Sequence, residues 1–149
     1  MKSASRRLFL ASLFSLIGAS SLPADEPAKT DQELLQGTWI CTATIKDGQP
    51  STAYVGVKAV FDGANMVWHF PMKDGTYQTK KCGFRIDPTK SPKHFDWWGL
   101  DKPQSVEYRL YSVTATELRW STQLDYKTRP QALDQGKWQF TMKRVAEGR

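Results

Sequence analysis

The chain has 149 residues, of which 40% are hydrophobic, 12% aromatic and 24% charged, so it has room for one core and is too apolar and aromatic for a disordered chain. Lys2, Arg6 and Arg7 supply three of the formal charge of +6, and no acid precedes residue 25, so the remainder carries +3. That mild excess is scattered as single lysines and arginines with no basic helix or RNA-reading aromatic motif, which argues against nucleic acid as a partner.

Residues 1–24 read as an export signal. A basic stretch to Arg7 precedes an apolar, small-residue run over 8–22, and Pro23-Ala24 precedes the polar Asp25-Glu26-Pro27. Cleavage is expected after Ala24, or after Ser21 with Ala19 at −3. No cysteine follows for a lipid anchor, and about 15 apolar residues are short for a spanning helix. Ser5-Arg6-Arg7-Leu8-Phe9-Leu10 resembles the twin-arginine motif, and either route ends outside the cytoplasm, in the periplasm or the medium. No stable membrane insertion is expected after cleavage.

Residues 25–30 form a polar leader, and the folded domain is assigned to 31–149. One helical turn is predicted over 31–36, with Asp31 as its N-cap. After Gly37 the apolar period becomes two, and eight strands are predicted at 38–46, 54–61, 65–71, 76–86, 93–99, 105–113, 117–124 and 137–145. Asp47-Gly48, Asp62-Gly63 and Asp74-Gly75 mark tight turns. The longest loop is 125–136.

Alternation collects one apolar face. It comprises Trp39, Cys41, Ala43 and Ile45, then Val55, Val57, Ala59 and Phe61, and then Met66, Trp68 and Phe70. It continues with Cys82, Phe84, Ile86, Phe95 and Trp97. Val106, Tyr108 and Leu110 follow, with Leu118 and Trp120, and finally Trp138, Phe140 and Met142. The opposite face carries Thr42, Lys46, Lys58, His69, Lys81, Arg85, Asp96, Glu107, Arg109, Arg119, Gln139 and Lys143. Eight short-hairpinned strands with one apolar face predict an all-β, up-and-down antiparallel barrel, with a β-sandwich as the alternative.

Gly37-Thr38-Trp39 after a helical turn resembles the Gly-x-Trp signature of lipocalin-like barrels. That resemblance implies that Trp39 closes one end and that an arginine of the last strand packs across it. Arg144 shares the inward parity of Trp138, Phe140 and Met142 and is assigned that part, as a cation–π contact. A closer resemblance runs through Leu35-Gln-Gly-Thr-Trp39, Asp47-Gly48, Phe61-Asp-Gly63, the run 83–96 and Arg129-Pro130. These residues are similar to an uncharacterised lipocalin-like domain family of planctomycete bacteria. The chain departs from it after the sixth strand, where Thr114-Ala115-Thr116 replaces a Gly-Asp turn. The family brings no assigned activity.

The two cysteines, Cys41 and Cys82, fall on strands one and four of the predicted barrel, roughly 10–15 Å apart, beyond the ~7 Å reach of a disulfide. They read as core thiols. His69 and His94 are the two histidines, without zinc-type spacing. His94-Phe-Asp96 reads as a hydrated surface pair. No nucleophile elbow, phosphate loop or inward carboxylate pair appears, so no catalytic residue, metal or cofactor is assigned.

An eight-strand barrel either fills with side chains or holds one small ligand. Trp68, Phe84, Trp97, Tyr108, Trp120 and Phe140 are the candidate cavity lining, with Tyr108 as the orienting polar group. The sequence therefore predicts an exported binding module for a small apolar or aromatic molecule. The alternatives are a solid-cored protein-interaction module using an exposed Trp98 and loop 125–136, and a hydrolase with a loop-built site.

Overall fold

A computed structural model describes residues 27–146. The predicted export signal and the first two leader residues lie outside the described residues. Helix α1 (Asp31–Leu35) is followed by β1 (Gly37–Lys46), β2 (Gln49–Ser51), β3 (Lys58–Asp62), β4 (Asn65–Pro71) and β5 (Tyr77–Asp87). Then come β6 (His94–Gly99), β7 (Glu107–Val113), β8 (Glu117–Thr122), a 3-10 turn (Leu133–Gln135) and β9 (Trp138–Arg144). Each strand from β3 to β9 pairs antiparallel with the next, and β1 pairs with both β3 and β9, closing an eight-strand barrel. The short β2 adds only a hairpin to the end of β1.

The helical cap is Thr30, not the predicted Asp31. Thr30 stands three residues before Glu33, so each side chain can bond the other's backbone N–H, at 3.3 and 2.7 Å. Asp31 is thereby free for the barrel wall, where its Oδ2 accepts from Lys93 Nζ and the Tyr111 hydroxyl, both at 2.7 Å. These bonds tie α1 to the barrel base.

The base is sealed as a hydrophobic plug. Trp39 is fully buried and donates its Nε1 hydrogen to Leu35 O at 2.8 Å. The guanidinium of Arg144 lies 4.2 Å from its ring centroid. It also donates to the carbonyls of Ala115, Gln36 and Leu34, the last two being carbonyls that α1 leaves open as it ends. A Cβ on Gly37, whose φ is +105°, would stand 3.1 Å from Arg144 Nη1. Here the glycine of Gly-x-Trp makes room for the arginine.

Above the plug, Phe84 stacks on Phe95 with centroids 5.5 Å apart, and Phe61 meets Phe84 edge-on at 5.1 Å. Such pairs add about 0.5–1.5 kcal/mol each to their burial. This half of the barrel is solid.

Three of the predicted faces are corrected. In β1, a bulge makes Thr42 an extra residue between Cys41 and Ala43 against β9, which reverses the alternation beyond it. Thr44 is then buried, 2.9 and 2.8 Å from the carbonyls of Ser51 and Ala53, while Ala43 and Ile45 turn to solvent. The predicted strand 54–61 is shorter, because Tyr54 and Gly56 adopt positive φ, and Val55 is exposed. In β7 the parity is opposite to the prediction. Arg109 pairs with inward Phe95 and Tyr111 with inward Trp120, so Arg109, Tyr111 and Glu107 face the interior, whereas Val106, Tyr108 and Leu110 do not.

The outer surface of β7 and β8 explains that error. Loop 125–136 folds over it, so Leu110 and Ser121 are buried outside the barrel. A Cβ on Gly136 would stand 2.6 Å from Ser121 Cβ. Arg129 anchors the loop by bonding Asp96 Oδ1 at 2.6 Å and the carbonyl of Arg109, with its guanidinium 5.2 Å from the Tyr108 ring. Asp96 also pairs with Arg85 at 3.0 Å, so it is not half of a hydrated pair with His94. Trp98 is half-buried rather than exposed. It lies across Gly83, directly opposite in β5, where a Cβ would meet the indole at 2.6 Å.

Candidate functional site

The mouth opposite the plug is not filled. A pocket of about 200 Å³ lies between the ends of β4, β5, β6, β7 and β9. Trp68, Phe70, Trp97 and Phe140 form its apolar walls, and Lys80, Glu107 and Arg109 are its charged groups. Tyr54 and Tyr126 complete it from two loops.

Each element places its residue for a local reason. Phe140 and Trp97 keep strict inward alternation on β9 and β6. Trp68 and Lys80 are register partners on β4 and β5, and so share a face. Tyr54 is carried inward by segment 52–57, which Thr44 pins. Its ring meets Trp138 and Phe140 edge-on at 5.4 and 5.5 Å. Tyr54 and Tyr126 have φ of 67° and 57°, a region that costs bulky residues energy and is held only where surroundings impose it. Burial pushes the Tyr126 phenol above its ordinary range.

Arg109 is the unusual member. Its side chain is 5% exposed, and its guanidinium sits 5.0 Å from the Trp97 ring and 5.5 Å from those of Trp120 and Phe140. Glu107 accepts from its Nη2 at 3.1 Å. Desolvation pushes its pKa down, with Glu107 opposing that shift. Lys80 Nζ also lies 5.0 Å from the Trp97 ring centroid. An open-sided groove of about 560 Å³ adjoins, sharing Phe70 and Lys80 with the pocket and bounded outside by Lys81, Leu100 and Asp101. It exists because Tyr77–Lys80 of β5 pairs with β4 alone, the Leu100 N–H and β6 taking up only Lys81 onward.

Of the six residues predicted to line a cavity, Trp68, Trp97 and Phe140 do so. Trp120 lies beneath Arg109, Phe84 belongs to the solid half, and Tyr108 is outside the barrel under Arg129. Cys41 and Cys82 are free, buried thiols, pushed up by desolvation to about 11 and about 12. Among the described residues, no three of His, Cys, Asp and Glu converge as metal ligands would.

A lipocalin-like protein from Bacteroides uniformis superposes with a TM-score of 0.57 at 13% identity, over 75% of this chain and 99% of that one. The barrel is lipocalin-like. An uncharacterised protein from Bacteroides eggerthii shares the fold at TM-score 0.51 and 9% identity, over 74% of this chain and 99% of its own. No protein-family model and no curated protein matches the sequence.

Proposed function

We propose that the protein is an exported binding module that takes one small aromatic or apolar molecule into the mouth of its barrel. The observation that carries this reading is the contrast between the two halves of the interior, one solid and one open beneath two strained tyrosines. At about 200 Å³ the pocket is below the ~300–1,000 Å³ typical of sites for drug-sized ligands, and above the ~150 Å³ that accepts benzene. One ring with a short substituent fits that space.

Trp68 and Trp97 line the pocket and make it self-reporting. Titration with nitrobenzene should quench tryptophan fluorescence saturably, with one molecule bound per chain. Strictly linear quenching by this and by every other small aromatic tried would overturn the reading. The resemblance over 83–96 supports placement in the planctomycete lipocalin-like family. The signal-like residues 1–24 support delivery beyond the cytoplasm, and N-terminal sequencing of the mature protein should give a start near residue 22 or 25. Retention of Met1 in soluble cytoplasmic protein would refute export.

A further inference from the structure

We propose that the pocket is an anion site whose ligand is a small aromatic monocarboxylate, its ring among Tyr54, Phe70 and Phe140 and its carboxylate on Arg109 and Lys80. The inference rests on the binding reading above and adds the ligand's charge. An arginine carries five N–H donors. In Arg109 the hydrogen bond made among the described residues runs from Nη2 to Glu107, and the buried Nε has no partner there. Nε has no surface open to the pocket, so a ligand meets the guanidinium through its terminal nitrogens, of which Nη1 makes no hydrogen bond among the described residues. Aromatic faces hold the guanidinium in place but accept none of its hydrogen bonds in a directed way.

The charges around the pocket favour a ligand with one negative charge. Arg109 and Lys80 face the pocket against Glu107 alone, leaving one positive charge uncompensated. Among the described residues Lys80 has no ion pair, although Asp101 lines the groove on its outer side. Tyr54 and Tyr126 add hydroxyl groups that can donate or accept hydrogen bonds. A monoanion balances the site, whereas a dianion would reverse its charge. The volume admits a ring plus a carboxylate and excludes a long acyl chain held wholly inside. Arginine suits a planar carboxylate because two parallel N–H groups can meet both oxygens.

The test compares phenylacetate with its neutral isostere phenylacetamide on the full chain, read by tryptophan fluorescence. Phenylacetate should bind at least about tenfold more tightly, equivalent to about 1.4 kcal/mol. Arg109→Met should bring the two affinities together. Lys80→Gln, at an exposed position whose replacement leaves the core intact, should narrow the gap. Equal affinities in the unaltered protein, or a preference that survives Arg109→Met, would overturn the anion assignment and leave the pocket reading standing. Absence of saturable binding by either compound would overturn both.

Discussion

Replacing Trp39 by alanine removes the largest side chain of the basal plug. Trp39 is fully buried, and buried Trp→Ala changes cost about 3–5 kcal/mol. The Leu35 carbonyl loses its indole donor as well, which places the loss toward the upper end. Arg144→Ala acts differently, since it strips donors from the carbonyls of Leu34, Gln36 and Ala115 and exposes one face of the Trp39 ring. Charged hydrogen bonds contribute about 1.5–3 kcal/mol each, and these are partly solvated, so about 2–4 kcal/mol is expected in total. The two residues share a contact, so their effects should not add: the double variant should lose about 1–2 kcal/mol less than the sum. Urea unfolding of the four proteins measures this, against a total stability of about 5–15 kcal/mol. Additivity within about 0.5 kcal/mol would refute the view that Arg144 and Trp39 close the base as one unit.

Stability should fall on the alkaline side. In the unfolded chain the thiols ionise near 9.0, whereas Cys41 and Cys82 hold their protons in the fold to about 11 and about 12. Between those values the unfolded state releases protons that the native state keeps, costing up to about 1.4 kcal/mol per pH unit and thiol. Tyr111, also pushed upward by burial and by its bond to Asp31, adds to the same limb above pH 10. Denaturant midpoints at pH 8 and pH 10.5 should therefore diverge, and less so in Cys82→Ala. Arg129→Ala should cost about 1.5–3 kcal/mol by removing one of the two arginines on Asp96, which keeps Arg85, and the donor to the Arg109 carbonyl. It should also accelerate hydrogen exchange across 125–136 while leaving β1, β3 and β4 protected. Unchanged exchange in that loop would show that Arg129 does not anchor it.

Much of the barrel is legible in the sequence because most of its strands bury one face and wet the other. The Asp-Gly turns and the inward runs of β4, β5, β6, β8 and β9 follow from that rule. The failures share one physical cause, a second burial surface or a local break that period-two counting ignores. Thr42 inserts a bulge, and a single extra residue exchanges the faces of everything after it in β1. In β7, Val106, Tyr108 and Leu110 form as good an apolar stripe as Tyr111 and Val113, since loop 125–136 buries Leu110 from outside. Only register decides between them. The pocket was half legible for the same reason: its tryptophans alternate cleanly, whereas Arg109 and Lys80 look like surface charge and Tyr54 lies in a segment that reads as strand. The trace in the sequence is slight. Tyr54 precedes Val55-Gly56, and Arg109 stands two residues from Glu107, a spacing that puts opposite charges on one face of a strand.

That pair also separates a structural role for Arg109 from a binding role. A guanidinium taken out of water is costly, and replacing a buried ion with a well-packed apolar side chain is often neutral or stabilising by about 1–4 kcal/mol. Arg109→Met forfeits cation–π contacts of about 0.5–2 kcal/mol, partly restored by sulfur–aromatic contacts with Trp97, Trp120 and Phe140. The Glu107 it leaves behind is 24% exposed and keeps access to water. Glu107→Gln is the opposite case. It leaves the nearly buried Arg109 charge without its counterion, and truncating one partner of such a pair costs about 3–5 kcal/mol. The two variants should therefore part company in urea, Arg109→Met unfolding at or above the midpoint of the unaltered protein and Glu107→Gln well below it. A barrel that retains an arginine it folds equally well without is one in which that arginine serves the ligand, in keeping with the trade of stability for function common at binding sites. Destabilisation of Arg109→Met by more than about 2 kcal/mol would make Arg109 a strut of the mouth instead.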